Sequence, residues 1–404
     1  MIAVIGAGAA GTVAAIAAAQ NGGEVILFEK NDRIGKKLMI TGKGRCNITN
    51  ICQEEDFFDS VIVNKRFLYS AVRSFSNYDV IDFFENLGVK TKVERGGRVF
   101  PESDSAKEVT RALENKIKEL GIKLVYSQVT ELIIQNEEIK GVKTEKGIYY
   151  CDRVIIATGG KSYPKTGSTG DGYLLAQKAG HTVTNIYPAL VPLETYEDVT
   201  NLMGLSLRNV SVKVKNKKGE TVFSDFGEML FSHYGITGPL ILSASCHLGE
   251  NPEGAEVLID LKPALSEKQL DERILRDFEM YKNKNFENSL SDLLPKKLIS
   301  YVVDKSGISP HKKVNTITKE ERKRLLMLLK EMPFKVKKYR PISEAIVCGG
   351  GVAVSEINPS TMESKKVRGL YFSGEVIDLH AYTGGFNLQI AFSTGHLAGC
   401  NAAR

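Results

Sequence analysis

The densest chemical signal is the run Gly6-Ala7-Gly8-Ala9-Ala10-Gly11, which fits the spacing G-x-G-x-x-G. It follows the apolar stretch Ile2–Ile5 and precedes a row of alanines, so it sits where a strand turns into a helix. Gly6 suits the tight turn, Gly8 lets a pyrophosphate approach the backbone, and Gly11 lets helix and strand pack closely. The N–H groups from Ala9 and Ala10 onward lie at a helix N-terminus, which offers phosphates unpaired donors and a partial positive charge. A second apolar run, Val25-Ile26-Leu27-Phe28, ends in Glu29. A carboxylate there accepts hydrogen bonds from a ribose 2′-OH and repels a 2′-phosphate, so the unit calls for FAD or NAD rather than NADP.

Three further segments choose between the two. Asp32-Arg33-Ile34-Gly35 lies just beyond Glu29 and Lys30; Val154-Ile155-Ile156-Ala157-Thr158-Gly159-Gly160 reads as a strand ending in Ala-Thr-Gly; Gly369-Leu370-Tyr371-Phe372-Ser373-Gly374-Glu375 reads as a strand with an acidic end. In this order they resemble the flavin elements of glutathione-reductase-like flavoproteins, and the expected cofactor is FAD. In that resemblance the acidic end approaches the ribityl chain.

Longer strings extend the likeness over nearly the whole chain: Gly35–Asn50 (GKKLMITGKGRCNITN), Gly97–Pro101, Ala157–Gly172 (ATGGKSYPKTGSTGDG), Phe231–Gly235 with Gly238-Pro239, and Thr383–Gly395 (TGGFNLQIAFSTG). Through them the chain resembles the bacterial flavoproteins described as NAD(P)/FAD-dependent oxidoreductases, a family that includes aminoacetone oxidase-like, bile-acid reductase-like and ribosomal-RNA dihydrouridine synthase-like members. The resemblance implies a discontinuous FAD domain interrupted by a β-barrel and a small helical bundle. It also implies that the helix beginning near Gly385, Phe386, Asn387, Leu388 and Gln389 points its N–H groups at the flavin's pyrimidine end, with Asn387 adding a side-chain hydrogen bond. A helix N-terminus there stabilises the negative charge that develops on reduction. The loop Thr41–Asn47, with Gly42, Gly44 and Cys46, is expected against the flavin or pyrophosphate. Lys36 and Arg45 are the candidate charges near phosphate or substrate, and Val129 completes the expected cofactor contacts. Cys46 has no partner cysteine nearby and reads as a small packed residue rather than a redox thiol. Lys36 and Lys37 could equally be surface groups.

Flavin enzymes exchange hydride through N5, so further acids or bases belong on the substrate side. The candidates are His233, Tyr234, His380, Tyr382 and Tyr163, with His233, Tyr382 and His380 foremost. His233 lies in the insert, expected to face the flavin across a cleft. The other histidines have no companions.

The elements that must carry these groups follow from pattern. Residues 2–29 read as β-α-β. Helices are expected at Arg66–Phe75, at Val80–Asn86 with Asn77 as cap, and at Ser105–Leu120 ended by Gly121. Strands are expected at Lys123–Tyr126, Glu131–Gln135 and Gly141–Thr144, and a hairpin turn at Arg95–Arg98. Period-two segments at Val210–Val214 and Glu256–Asp260 mark a β-rich insert. Ser266 with Gln269 and Thr318 with Glu321 are capping boxes, the second opening a helix to Met332. The fold class is therefore α/β: a Rossmann-like FAD domain at 1–190 and 342–404, a β-rich insert at 191–262 and 333–341, and a small helical domain at 263–332. Gly349-Gly350-Gly351 precedes Val-Ala-Val and reads as leading into a strand. No second G-x-G-x-x-G appears, so a dedicated nicotinamide domain is not expected, although NAD(P)H remains possible as a transient donor.

Composition agrees. Of 404 residues, 42% are hydrophobic and 25% charged, as in globular domains. The six cysteines are scattered without a CxxC pair, which argues against a metal or disulfide framework and for a reducing cytoplasm. No apolar run approaches a membrane span. Between Lys319 and Arg340 nine basic residues face three acidic ones, a local balance equal to the net +6 of the whole chain. Such a run is usually a solvated face; with Lys312, Lys313, Lys365 and Lys366 it could instead hold RNA phosphates. The leading expectation is an FAD-dependent oxidoreductase moving hydride to or from a small molecule held between FAD domain and insert. The alternative is a reductase of uridine in ribosomal RNA, and a non-enzymatic flavin sensor is the third reading.

Overall fold

The computed structural model describes residues 1–404. The chain forms two compact units, Met1–Ala189 with Pro341–Arg404, and Leu190–Arg340.

The first unit is organised by a five-stranded parallel sheet in the order Leu370–Phe372, Arg153–Ile156, Ile2–Ile5, Val25–Glu29, Lys123–Tyr126. The four strands nearest the glycine turn are apolar throughout or nearly so, as strands covered on both faces must be. The helix Ala9–Gln20 is buried from Ala10 to Ala18. Its alanines serve two contacts. One is the sheet. The other is the C-terminal helix Phe386–Ala402, where a side chain at Gly395 would meet the Ala10 carbonyl at 2.4 Å and one at Gly399 the Ala14 carbonyl at 2.3 Å. Small residues on both helices allow that approach.

Three small antiparallel sheets complete the unit: the meander Val129–Gln135, Glu138–Thr144, Gly147–Tyr150; the set Thr49–Asn50, Arg98–Pro101, Thr91–Glu94; and the pair Tyr187–Ala189 with Val347–Gly349. Two local expectations are corrected here. The helix Asn77–Asn86 is capped by Ser76, which forms a reciprocal box with Asp79, while the Asn77 amide donates to the carbonyls of Asn50 and Cys52. The triple glycine ends a strand, with Gly349 its last residue, instead of leading into one: Val354–Glu356 is a one-turn helix.

The second unit holds a closed six-stranded barrel in the order Leu193–Thr195, Gly235–Thr237, Thr221–Ser232, Ser206–Lys215, Glu256–Asp260, Met332–Tyr339. It also contains the helices Glu267–Met280, Lys296–Ser306 and Lys319–Lys330, the first and third with the anticipated capping boxes. The helix expected to reach Met332 ends at Lys330. Met332, Phe334, Val336 and Tyr339 are buried while Lys335, Lys337 and Lys338 are exposed, an alternation that belongs to a barrel strand and overrides helix propensity. Much of the basic segment is internally neutralised: Arg322 pairs with Asp271 at 2.7 Å, Lys330 with Asp260 at 2.5 Å, and Arg340 and Lys338 both with Glu194.

Candidate cofactor site

Two positions of the glycine turn differ in what surrounds them. A Cβ on Gly11 would lie 1.8 Å from the Gly6 carbonyl oxygen, so helix and turn touch backbone to backbone. Gly8, the N-cap of the helix, is the opposite case: nothing lies within 4 Å of an added Cβ, and the first turn carries no acidic residue. Open space in front of a positive helix end is what a pyrophosphate requires. Glu29 is 7% exposed, and its carboxylate accepts from the Ala7 N–H at 2.9 Å and from the backbone and side-chain N–H groups of Asn31 at 2.8 and 2.6 Å. These bonds aim the carboxylate and leave acceptor capacity for a ribose hydroxyl.

The charged residues singled out from sequence separate into several places. Lys30 pairs with Asp171 at 2.6 Å and Lys36 with Asp32 at 2.7 Å, while Arg33 is exposed beside Asp32. The Arg45 guanidinium stacks on Phe100 at 4.1 Å and is held by Glu94 and Asp104, so its charge is already matched. Within the Leu38–Gly44 turn, Gly42 and Lys43 are left-handed, and Thr41 binds the Leu38 carbonyl. Cys46 is fully buried with its thiol pushed up to about 12 by burial, which makes it a poor nucleophile. Asn47 Oδ1 is buried without a protein partner. Together with the open space at Gly8, that orphaned acceptor fits a bound nucleotide. The Thr158 hydroxyl is also buried but lies against Gly172, whose missing Cβ makes room for it. Val129 is buried at the first position of its strand, and Ala157 and Gly159 frame the turn after Ile156.

The helix Phe386–Ala402 starts at Gly385, where a Cβ would strike the Thr49 carbonyl at 2.4 Å. The Asn387 amide bonds to the protein: its oxygen accepts from Ala381 N–H at 2.9 Å, and its nitrogen donates to the carbonyls of Ala381 and Tyr382 at 2.8 and 3.1 Å. It clips the loop carrying His380 and Tyr382 to the helix start with both of its N–H groups, and its oxygen keeps one further acceptor position. Gln389 is fully buried among Thr49, Ser393 and the Phe75 carbonyl and braces the helix from behind. Phe386 packs on Phe57, and Leu388 packs against the core. His380 is completely buried, with its ring edge-on to Tyr187 at 6.2 Å. His233 lies in the barrel unit, exposed in the turn between Thr221–Ser232 and Gly235–Thr237.

One group was not legible from sequence. Lys37, which pattern left as a possible surface residue, donates to Glu375 at 2.7 Å and to Ser162 Oγ at 2.6 Å. Glu375 also accepts from the Cys348 N–H at 2.9 Å. Nothing local signals this, because its members come from four distant segments.

The family model for the HI0933-like protein Rossmann domain matches residues 1–401. The chain is 32% identical to a 3-dehydro-bile acid delta(4,6)-reductase of Clostridium scindens, covering 100% of this chain and 98% of that protein. It is 31% identical to a ribosomal RNA dihydrouridine synthase of Haemophilus influenzae, covering 99% and 98%. Among solved structures, the 3-ketosteroid-delta4-(5alpha)-dehydrogenase of Rhodococcus jostii shares the fold, with a TM-score of 0.56 at 14% identity over 100% of this chain and 96% of that one. The glycine turn, the acid that closes the second strand and these full-length matches agree: the chain belongs to the HI0933-like Rossmann family, and it is an FAD-dependent oxidoreductase.

Proposed function

We infer that this protein moves hydride between FAD, held on the Met1–Ala189 and Pro341–Arg404 unit, and a small organic substrate with a reducible double bond. The observation that carries the cofactor half is the open, acid-free helix start at Gly8 beside the oriented Glu29 carboxylate. The substrate half is supported by the full-length likeness to a reductase whose substrate is a bile acid. Bound FAD supplies hydride exchange with carbon; the protein supplies binding, orientation and the proton. Lys36, Arg45 and the Thr41–Asn47 turn would shape the cofactor's surroundings, and the helix start at Gly385 would favour the reduced, negatively charged ring. Tyr382 and His380, anchored by the Asn387 clip, are the candidate proton donors, with His233 in the second unit. NAD(P)H is proposed as the transient reductant.

Anaerobic addition of NADH or NADPH to purified protein tests this directly. Loss of the oxidised flavin's visible absorbance, followed by its return on adding an unsaturated steroid acid, is the expected result. Colour unchanged by either nucleotide, but bleached by a saturated substrate, would reverse the direction of the reaction.

A second reading, reduction of uridine in ribosomal RNA, is favoured by the relatives of that name at 31% and 30% identity. Lys319, Lys323, Lys335 and Lys337 are exposed and would be its phosphate contacts. RNA affinity falling steeply with salt would support it, and flat, weak binding would remove it.

A further inference from the structure

Glu375 presents a difficulty for a cofactor that carries two phosphates. It follows Gly374, whose missing Cβ would lie 2.7 Å from the Cβ of Ala10, inside the first turn of the glycine-turn helix. The Gly374 N–H is fixed by the Thr394 hydroxyl at 2.9 Å. Glu375 thereby branches from the backbone one residue beyond the contact with the helix end that must attract an anion, and it brings a carboxylate into that neighbourhood. It is 18% exposed, too little for water to screen it well.

The structure also contains the remedy. Lys37, 23% exposed, places its ammonium 2.7 Å from Glu375 Oε2 and 2.6 Å from Ser162 Oγ. The other carboxylate oxygen accepts from the Cys348 N–H at 2.9 Å and the Ser162 hydroxyl at 3.3 Å. Gly160 is part of the same fit, since a Cβ there would approach Glu375 Oε1 to 2.8 Å. The Cys348 thiol accepts from the Lys161 N–H at 3.2 Å and is pushed up to about 11 by burial, so it adds no charge.

We propose that Lys37 is a positioning residue for FAD, acting through Glu375: it neutralises and orients that carboxylate so that the dinucleotide meets an uncharged, braced floor beside the helix start. Lys37 need not touch the phosphates. This rests on the reading of Gly8 as the pyrophosphate approach. Removing the lysine alone leaves an uncompensated, half-buried anion next to the cofactor. Removing lysine and carboxylate together restores neutrality.

The test is titration of FAD-free protein with FAD, read by quenching of flavin fluorescence, for wild type and for K37M, K37R, E375Q and K37M/E375Q. K37M is expected to weaken FAD roughly tenfold, K37R to recover most of that loss, and K37M/E375Q to bind within a few-fold of wild type, a coupling typical of paired charges. A double variant as weak as K37M would mean that Lys37 or Glu375 grips the cofactor directly, and K37M binding like wild type would mean that the pair is irrelevant; either overturns the proposal. Should K37M not fold, E375Q decides: it must bind FAD at least as tightly as wild type, and weaker binding overturns it. Wild-type protein that binds no FAD would instead overturn the cofactor reading beneath.

Discussion

The second and third glycines of the turn allow a paired experiment whose halves move in opposite directions. In Gly8→Ala the new methyl enters space with no protein atom within 4 Å, and the backbone there (φ −83°) suits alanine. Stability of the FAD-free protein should therefore change by less than about 1 kcal/mol, the scale of an N-cap replacement. On the proposed placement of FAD, the methyl instead occupies the pyrophosphate's space. If it costs the pyrophosphate the ~3 kcal/mol that overpacking costs a core, FAD weakens about hundredfold. Under saturating FAD the variant then loses ~2.7 kcal/mol of ligand-linked stabilisation relative to wild type. In Gly11→Ala the methyl would sit 1.8 Å from the Gly6 carbonyl oxygen. Helix and turn must separate, and the FAD-free protein itself should lose about 3 kcal/mol or more. Urea denaturation of FAD-free protein and fluorescence titration with FAD separate the two effects. A Gly8→Ala protein that binds FAD like wild type would refute the placement of the pyrophosphate, and a fully stable Gly11→Ala protein would refute the packing argument.

Three further outcomes follow from particular contacts. Asn387→Leu removes the clip on Ala381 and Tyr382 and should cost about 2 kcal/mol by stranding half-buried backbone groups, with turnover falling more than FAD affinity; unchanged turnover would show that the loop needs no anchor. Cys46, its thiol raised to about 12, should resist alkylation at pH 8 in native protein and react only on unfolding, as mass spectrometry of the modified peptide would show; rapid native labelling contradicts its burial. Burial opposes ionisation of Glu356, but Lys366 and the N–H and hydroxyl of Thr182 outweigh it and hold the carboxyl down at about 2. A depressed folded value means that the unfolded chain binds the proton more readily, so this stabilisation is complete above the usual carboxylate range and is lost as pH falls towards 2. Glu356→Gln should therefore lower the melting temperature at pH 7 and flatten its fall between pH 5 and 3; a parallel acid limb would contradict this.

What could be read from the chain alone was whatever neighbouring residues enforce on one another. The glycine turn and Glu29 are joined through short-range geometry, the capping boxes at Ser266 and Thr318 span one helical turn, and the Val210–Val214 segment carries its own alternation, whereas Glu256–Asp260 buries three apolar residues in a row. Local signals failed where a distant partner decided the matter. Met332 to Tyr339 is a strand because Glu256–Ile259 pairs with it, although the residues before it are strong helix formers. Ser76 replaces Asn77 as cap because the Asn77 amide is drawn to the carbonyls of Asn50 and Cys52. The pairing of Arg45 with Glu94 and Asp104, and of the Asn387 amide with Ala381 and Tyr382, was equally invisible in the chain. Lys37 and Glu375 meet across 338 positions of sequence. Type and spacing therefore called for a dinucleotide without a 2′-phosphate and marked a candidate helix end for it, and resemblance narrowed the cofactor to FAD. Only the tertiary structure decided which charges stand near that helix end and which are already neutralised, because a charge's influence depends on what lies within a few ångströms in space, and pattern along the chain does not record that.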